Sequence, residues 1–214
     1  GKNNKYAFFP SLGLGWLASN EGFMEDMTAI DQLKFHASYG VTGNSEIDPY
    51  KSLATISSGT ALIDGGRQAT SYVARLANPD LEWEKTNQFD FGFNLNLFKN
   101  RLNFDVSYYY KLTTDLLLDS PVPHSTGFSS IIDNIGEVEN FGVDFMLNSV
   151  NVQSKDFSWN TTFNISHNKN KIVTLDGMQT EIKSGSQIRK VGKSYRTFYM
   201  IEFAGINPET GAPQ

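Results

Sequence analysis

The sequence predicts an all-β chain, an antiparallel sheet of about seven strands suited to the wall of a partial transmembrane β-barrel. Three observations predict it. The stretch at residues 88–110, QFDFGFNLNLFKNRLNFDVSYYY, alternates apolar and polar residues through two arms joined at Lys99-Asn100. Phe89, Phe91, Phe93, Leu95 and Leu97 share one parity of the first arm; Leu102, Phe104, Val106, Tyr108 and Tyr110 share one parity of the second. Successive strand side chains take opposite faces, so this hairpin has one apolar and one polar face. Each arm also runs to about 10 residues, the length with which barrel strands cross a bilayer, against roughly 5–6 for an ordinary strand. The third observation is an asymmetry of connections. From the hairpin alone, a half-buried sheet in a soluble sandwich fits equally well.

Taken in order, residues 7–19 read as a first strand, with Leu12, Leu14 and Trp16 opposite Ser11, Gly13 and Gly15. Pro10 cannot donate to a ladder and belongs at an end or a bulge. Residues 20–31 form a connector with one helical turn near 22–26. In the second strand, residues 32–42, Leu33, Phe35, Ala37, Tyr39 and Val41 alternate with polar residues that include Lys34 and His36. Those two sit easily only on a wet face. A long connection at 43–81 precedes the hairpin, and another at 112–134 follows it. Residues 135–149 carry Phe141, Val143, Phe145 and Leu147 on one face; residues 157–167 carry Phe157, Trp159, Phe163 and Ile165 on one face. A third long connection, 168–196, leads to a seventh strand at 197–206 and a turn at 207–211.

With strands running alternately up and down, the three long connections fall at one end and the short ones at the other. Barrels of the outer membrane have this asymmetry, with long extracellular loops and short periplasmic turns; a sandwich has no reason for it. Aromatic residues gather at both ends. Phe8, Tyr39, Trp83 and residues 108–110 lie towards the long loops, and Trp16, Phe98, Phe157 and Trp159 towards the short turns. Two such girdles mark the two membrane interfaces. Seven strands leave two unpaired edges, which lipid does not tolerate. The stretch therefore does not make a complete wall.

Composition bounds the function. No apolar run approaches the roughly 18 residues of a membrane helix, which leaves a barrel untouched. A net charge of -5 without a basic patch speaks against nucleic acid as a partner. Cysteine is absent, so disulfides and thiol chemistry are not expected. The opening residues GKNNK do not read as a signal peptide, so the chain is expected to be a mature product or an internal piece of a longer one.

Three scattered histidines, His36, His124 and His167, lack metal-ligand spacing. Glu137, Glu139 and Asp144 read as solvated charges near a loop end. Neither a nucleophile motif nor a phosphate loop occurs. No catalytic, cofactor or metal site is expected. Asp64-Gly65-Gly66 reads as a turn. In the long connections, Tyr50, Tyr72, Arg75, His124 and Phe128 are the residues whose rings and charges suit a sugar or peptide, since binding groups collect on loops carried by a rigid scaffold. The plainer reading of each is that it shields the mouth of the wall.

Six blocks resemble a known family. They are FFPSLGLGW (8–16), LKFHASYGVTGN (33–44), NPDLEWEKTNQFDFG (78–92), YYYKLTTDLLL (108–118), NIGEVENFGVDF (134–145) and VGKSYRTFYMIEFAGINPETG (191–211). In that order they are similar to the SusC/RagA-like TonB-linked outer-membrane transporters. The resemblance implies a 22-stranded barrel with an N-terminal plug in the outer membrane of a Gram-negative bacterium. It implies TonB-driven import of oligosaccharides or peptides and a SusD-like surface lipoprotein over the mouth, with membrane lipid around the wall. On this resemblance residues 1–214 are part of the barrel domain; the plug, the TonB box and the closing strands have no counterparts in them. A passive porin shares such a wall without a plug, and a surface β-sandwich for adhesion remains the third reading.

Overall fold

In the computed structural model, residues 6–44, 52–175 and 180–210 are described. Thirteen strands follow one another: β1 (Ser11–Leu17), β2 (Ile30–Asn44), β3 (Thr55–Ile63), β4 (Gly66–Arg75), β5 (Glu84–Leu97), β6 (Leu102–Thr114), β7 (Leu117–Pro121), β8 (Ser130–Asn134), β9 (Glu137–Gln153), β10 (Ser158–Thr174), β11 (Glu181–Ser184), β12 (Gln187–Lys190) and β13 (Thr197–Phe198). Six of them, in the order β1-β2-β5-β6-β9-β10, make one sheet, every pair antiparallel. The remaining strands form small sheets in the three long connections: β3-β4, β7-β8 and β11-β12-β13. All three lie at the same end of the wall, as the connection lengths require.

The register lines up the apolar residues in continuous rows across the six strands. One row reads Trp16, Phe35, Phe93, Val106, Phe145, Ile165, and the next Leu33, Leu95, Phe104, Leu147, Phe163. Between them, on the opposite face, runs Lys34, Asn94, Asp105, Met146, Asn164. Rings meet across the strands: Trp16 stacks on Phe35 with centroids 5.8 Å apart, and Phe145 lies 6.1 Å from Phe104 and 6.3 Å from Phe163. Such cross-strand pairs each contribute a few tenths to about 1 kcal/mol.

Yet the apolar face is bare. Phe91 is 45 % exposed, Phe163 49 % and Ile165 59 %, and the small sheets pair within themselves rather than across it. A soluble domain does not leave so broad an apolar surface in water; a barrel wall presents it to lipid. From Phe89 to Leu97 the face spans roughly 27 Å along the strand. At a tilt of about 40° that covers roughly 21 Å of bilayer, near the height of a barrel's apolar band.

The opposite face is held by side-chain hydrogen bonds. Ser38 Oγ donates to Asp90 (3.3 Å), Gln88 Nε2 donates to both Asp90 oxygens, and Asn96 Nδ2 donates to Gln32 (3.1 Å). Asn94 Nδ2 donates to Asp105. Two glycines admit rings on this face. A Cβ at Gly92 would run into the His36 ring and one at Gly142 into the Tyr109 ring, so His36 and Tyr109 lie flat over a bare backbone.

Several expectations change in detail. The connections at 43–81, 112–134 and 168–196 hold sheets of their own rather than irregular chain. The Asp64-Gly65 turn is as read, with φ of 51° and 79°, the positive pair that a tight two-residue hairpin turn demands. Its flanks, rich in Ser, Thr and Gly, lack the apolar alternation that would have marked them as strands. Tyr109 belongs to the polar face, so Tyr39, Tyr108 and Tyr110 make up the tyrosines of the upper girdle. The helical turn expected near 22–26 appears as two short 3-10 turns, Ala18–Asn20 and Gly22–Met24.

The expected seventh strand differs most. Only Thr197–Phe198 is extended into a ladder, and it pairs with β12, not with the wall. The cause is legible: Phe198, Tyr199, Met200 and Ile201 are apolar on both parities, so the segment has no single face to turn towards lipid. The edge of β10 is instead covered at its loop end by residues 192–195. Ile172 N–H donates to Lys193 C=O (2.9 Å), Gly192 N–H to Ile172 C=O (2.8 Å) and Tyr195 N–H to Asn170 Oδ1 (2.7 Å).

Candidate functional site

The loop end of the wall is where the chain is knotted together. Asn78 and Glu82 from the β2–β5 connection, Asp115 and Asn134 from the β6–β9 connection, and Glu84 at the start of β5 meet at the base of the loops. Asn78 Nδ2 donates to Ile132 C=O and Asp133 Oδ1, both at 3.0 Å. Asn134 Nδ2 donates to Asp115 C=O (2.8 Å) and Glu82 C=O (3.2 Å), while its Oδ1 accepts from Glu82 N–H (2.8 Å). Leu117 N–H donates to Glu84 (2.9 Å), and Lys85 bridges Glu82 and Asp115 at 3.1 and 3.3 Å. Leu81, 1 % exposed, is sealed at this base. A side-chain amide offers both donors and an acceptor, so one Asn can replace the ladder that irregular backbone lacks.

Next to this base, Val138, Ile172, Leu175 and Ile182 form a buried apolar cluster, with Leu116, Ile135 and Tyr195 against it. Val138 and Ile172 face each other on the polar side of the wall. Through Ile182 the cluster ties the β11-β12-β13 sheet to the polar side of the wall at its loop end. There the Glu181 carboxylate accepts from Lys190 (3.1 Å) and lies 3.6 Å from Lys183. The Lys190 hydrogen bond, with the charges of both lysines, holds Glu181 below the usual carboxylate range.

Of the five residues expected to meet a ligand, two come together. Arg75, at the end of β4, and Phe128, in the β7-β8 connection, line one cleft of about 310 Å³ with Thr55, Asp119, Ser130 and Ile132. Arg75 Nε and Nη2 both donate to Leu53 C=O (3.3 and 3.2 Å), which fixes the guanidinium at the rim. Tyr72 stands exposed on β4 beside Gly59, apart from this cleft. His124 opens a short 3-10 turn, His124–Thr126, at the tip of the β7-β8 connection. Tyr50 lies outside the described residues. Sequence reasoning missed Thr55, Asp119 and Ser130, whose only signal was their place in a long connection. It also missed the roles of Asn78 and Asn134, although both sit in distinctive blocks.

A second concavity, about 450 Å³, lies on the polar face of the wall between Asp105, Asp144, Met146, Asn164 and Ser166. With Asp90, Ser38, Gln32 and Asn96, it gives the interior a wet, mildly acidic lining. Among the described residues no group of His, Cys, Asp or Glu is placed to hold a metal ion.

The profile of the TonB dependent receptor-like β-barrel family matches residues 1–196. The chain belongs to this family. Within it, the chain is 44% identical to TonB-dependent receptor P3 of Formosa agariphila over 96% of its own length and 21% of that protein's. It is 29% identical to TonB-dependent receptor SusC of Bacteroides thetaiotaomicron, over 99% of this chain and 23% of that one. A solved structure of the RagAB peptide transporter superposes on all of it with a TM-score of 0.85 at 34% identity, using 23% of that chain. The chain thus spans about a fifth of the length of the curated relatives it matches. As a TonB-dependent receptor barrel it is an outer-membrane segment of a Gram-negative bacterium, and its bare apolar face is the surface that meets lipid.

Proposed function

We propose that the chain is one stretch of the wall and mouth of an active outer-membrane importer for oligosaccharides or peptides. In this reading residues 1–214 belong to a 22-stranded barrel closed by a plug, driven through TonB and capped by a SusD-like lipoprotein. The observation that carries it is the pairing of two unlike surfaces on one sheet. A lipid-facing belt backs a hydrogen-bonded polar interior, and all the elaborated loops stand at one end. The SusC and RagAB relatives support the cargo class, and no catalytic step is part of it. The cleft between the β3-β4 and β7-β8 hairpins is the proposed contact surface for cargo. Arg75 and Asp119 supply charge there, Phe128 a ring to stack on, and Tyr72 and His124 contacts further out; Tyr50 is proposed as a contact from its residue type alone.

Deleting the tip of each long loop in the full-length protein, then measuring uptake and co-purification of the lipoprotein, tests the reading. At least one deletion should abolish uptake or release the lipoprotein. Unchanged uptake and co-purification in all three would leave the loops as passive cover.

A further inference from the structure

At the loop end the outward apolar belt finishes in two rows of the register. The lower reads Leu12, Tyr39, Phe89, Tyr110, Phe141, Lys169; the upper reads Val41, Asn87, Leu112, Glu139, Lys171. Tyrosine hydroxyls join the two rows: Tyr39 donates to Asn87 Oδ1 (3.0 Å) and Tyr110 to Glu139 Oε2 (3.3 Å). This is the boundary between hydrocarbon and headgroup, rings below and polar atoms above. Two cations, both on β10, stand in these rows. Lys171 leans on Glu139 (3.0 Å) and remains 42 % exposed. Lys169 stands on the same side of β10, opposite Phe141, and forms no ion pair with the described residues of β9. Lys85, higher still, is engaged by Glu82 and Asp115.

We propose that Lys169 and Lys171 form a binding site for the phosphate of an outer-leaflet lipid. Two residues apart on one face, their Cα atoms are separated by roughly 6.7 Å, so both ammonium groups reach a single phosphate between them. A lysine at this depth extends its stem along the apolar surface and places its charge at the headgroup level. Phe141 and Tyr110 beside it would lie against the first carbons of the acyl chains. The ligand is a lipid rather than free phosphate because the rows continue the lipid-facing belt. The site rests on that face meeting lipid, which spin-label accessibility along β5 tests separately.

The test uses the full-length protein in nanodiscs of phosphatidylcholine containing a minor fraction of phosphatidic acid, with retained lipid counted by native mass spectrometry. Phosphatidic acid should be retained in preference to phosphatidylcholine. Lys169→Gln should lower that preference about fivefold, and the Lys169→Gln/Lys171→Gln pair about 25-fold. Lys169→Arg should keep it, as should Lys34→Gln on the opposite face. If Lys169→Gln fails to fold, read from gel mobility before and after heating, Lys169→Met, which keeps the apolar stem, replaces it with the same expected loss. The proposal falls if wild type shows no preference, if Lys169→Gln leaves it unchanged, or if Lys34→Gln lowers it equally. It also falls if inorganic phosphate displaces the lipid.

Discussion

The wall and the loop end of this chain solve the same problem in opposite ways. The wall has long strands, long ladders and, among the described residues, little packed on its apolar face, where Phe91 and Ile165 are about half exposed. The loop end has short ladders and irregular backbone, yet it holds residues sealed from solvent: Leu81, Val138, Ile172, Leu175 and Ile182. One region leaves its hydrophobic surface for lipid and is stabilised by backbone pairing. The other makes a small core of its own and fills gaps in its backbone bonding with Asn and Glu side chains. A barrel strand needs no core behind it, because the bilayer takes that place; a loop standing in water does.

Substitutions can break this contrast, and the largest effect is expected in the wall. Phe93→Arg, near mid-depth on the lipid face, should destabilise the full-length protein by about 2–4 kcal/mol, while Asn94→Arg on the opposite face should cost much less. Unfolding by urea in lipid vesicles measures both. In the loop end, Ile172→Ala should cost about 2–4 kcal/mol by leaving a cavity under the β11-β12-β13 sheet. Because Ile172 lies outside the belt, the damage should appear as faster protease cutting at residues 180–196 with the wall intact. Asn134→Ala removes two donors and an acceptor from the loop base and should cost about 1–3 kcal/mol. Hydrogen exchange should then rise at Glu82 and Leu117 but not at Phe93.

The smallest effect concerns Glu181. Its carboxyl is held below the ordinary value by Lys190 and Lys183, so its contribution is present above the unfolded pKa and fades as pH falls through the folded one. Acidification below about pH 4.5 should loosen β11 and β12 slightly, and Glu181→Gln should remove that dependence.

The wall was legible because its rule is local. A period of two over ten residues declares the face of each strand, and Phe89 to Leu97 declare it without exception. Where the period failed, so did the reading: the run from Phe198 to Ile201 is apolar on both parities and does not join the wall. Asp64-Gly65 was recognised as a turn, but Thr55–Ile63 and Gly66–Arg75 carry too little apolar contrast to announce strands. The cleft was beyond reach, because Arg75 and Phe128 meet only once two hairpins fold across the loop base. The same holds for Asn78 and Asn134, whose side chains stitch connections that are far apart in sequence.

The central claim is that alternate residues of the wall face lipid and water. It is tested most directly by a spin-label scan along β5 in the full-length protein within a bilayer. Residues 1–214 hold no cysteine, so, with any cysteine elsewhere in the full-length protein replaced by Ser, single cysteines can be placed in turn at positions 88, 89, 90, 91, 93, 94, 95, 96 and 97. Labels at 89, 91, 93, 95 and 97 should relax with oxygen, and those at 88, 90, 94 and 96 with a water-soluble nickel reagent. Equal access of both reagents to both parities, or nickel access at 91, 93 and 95, would contradict the account.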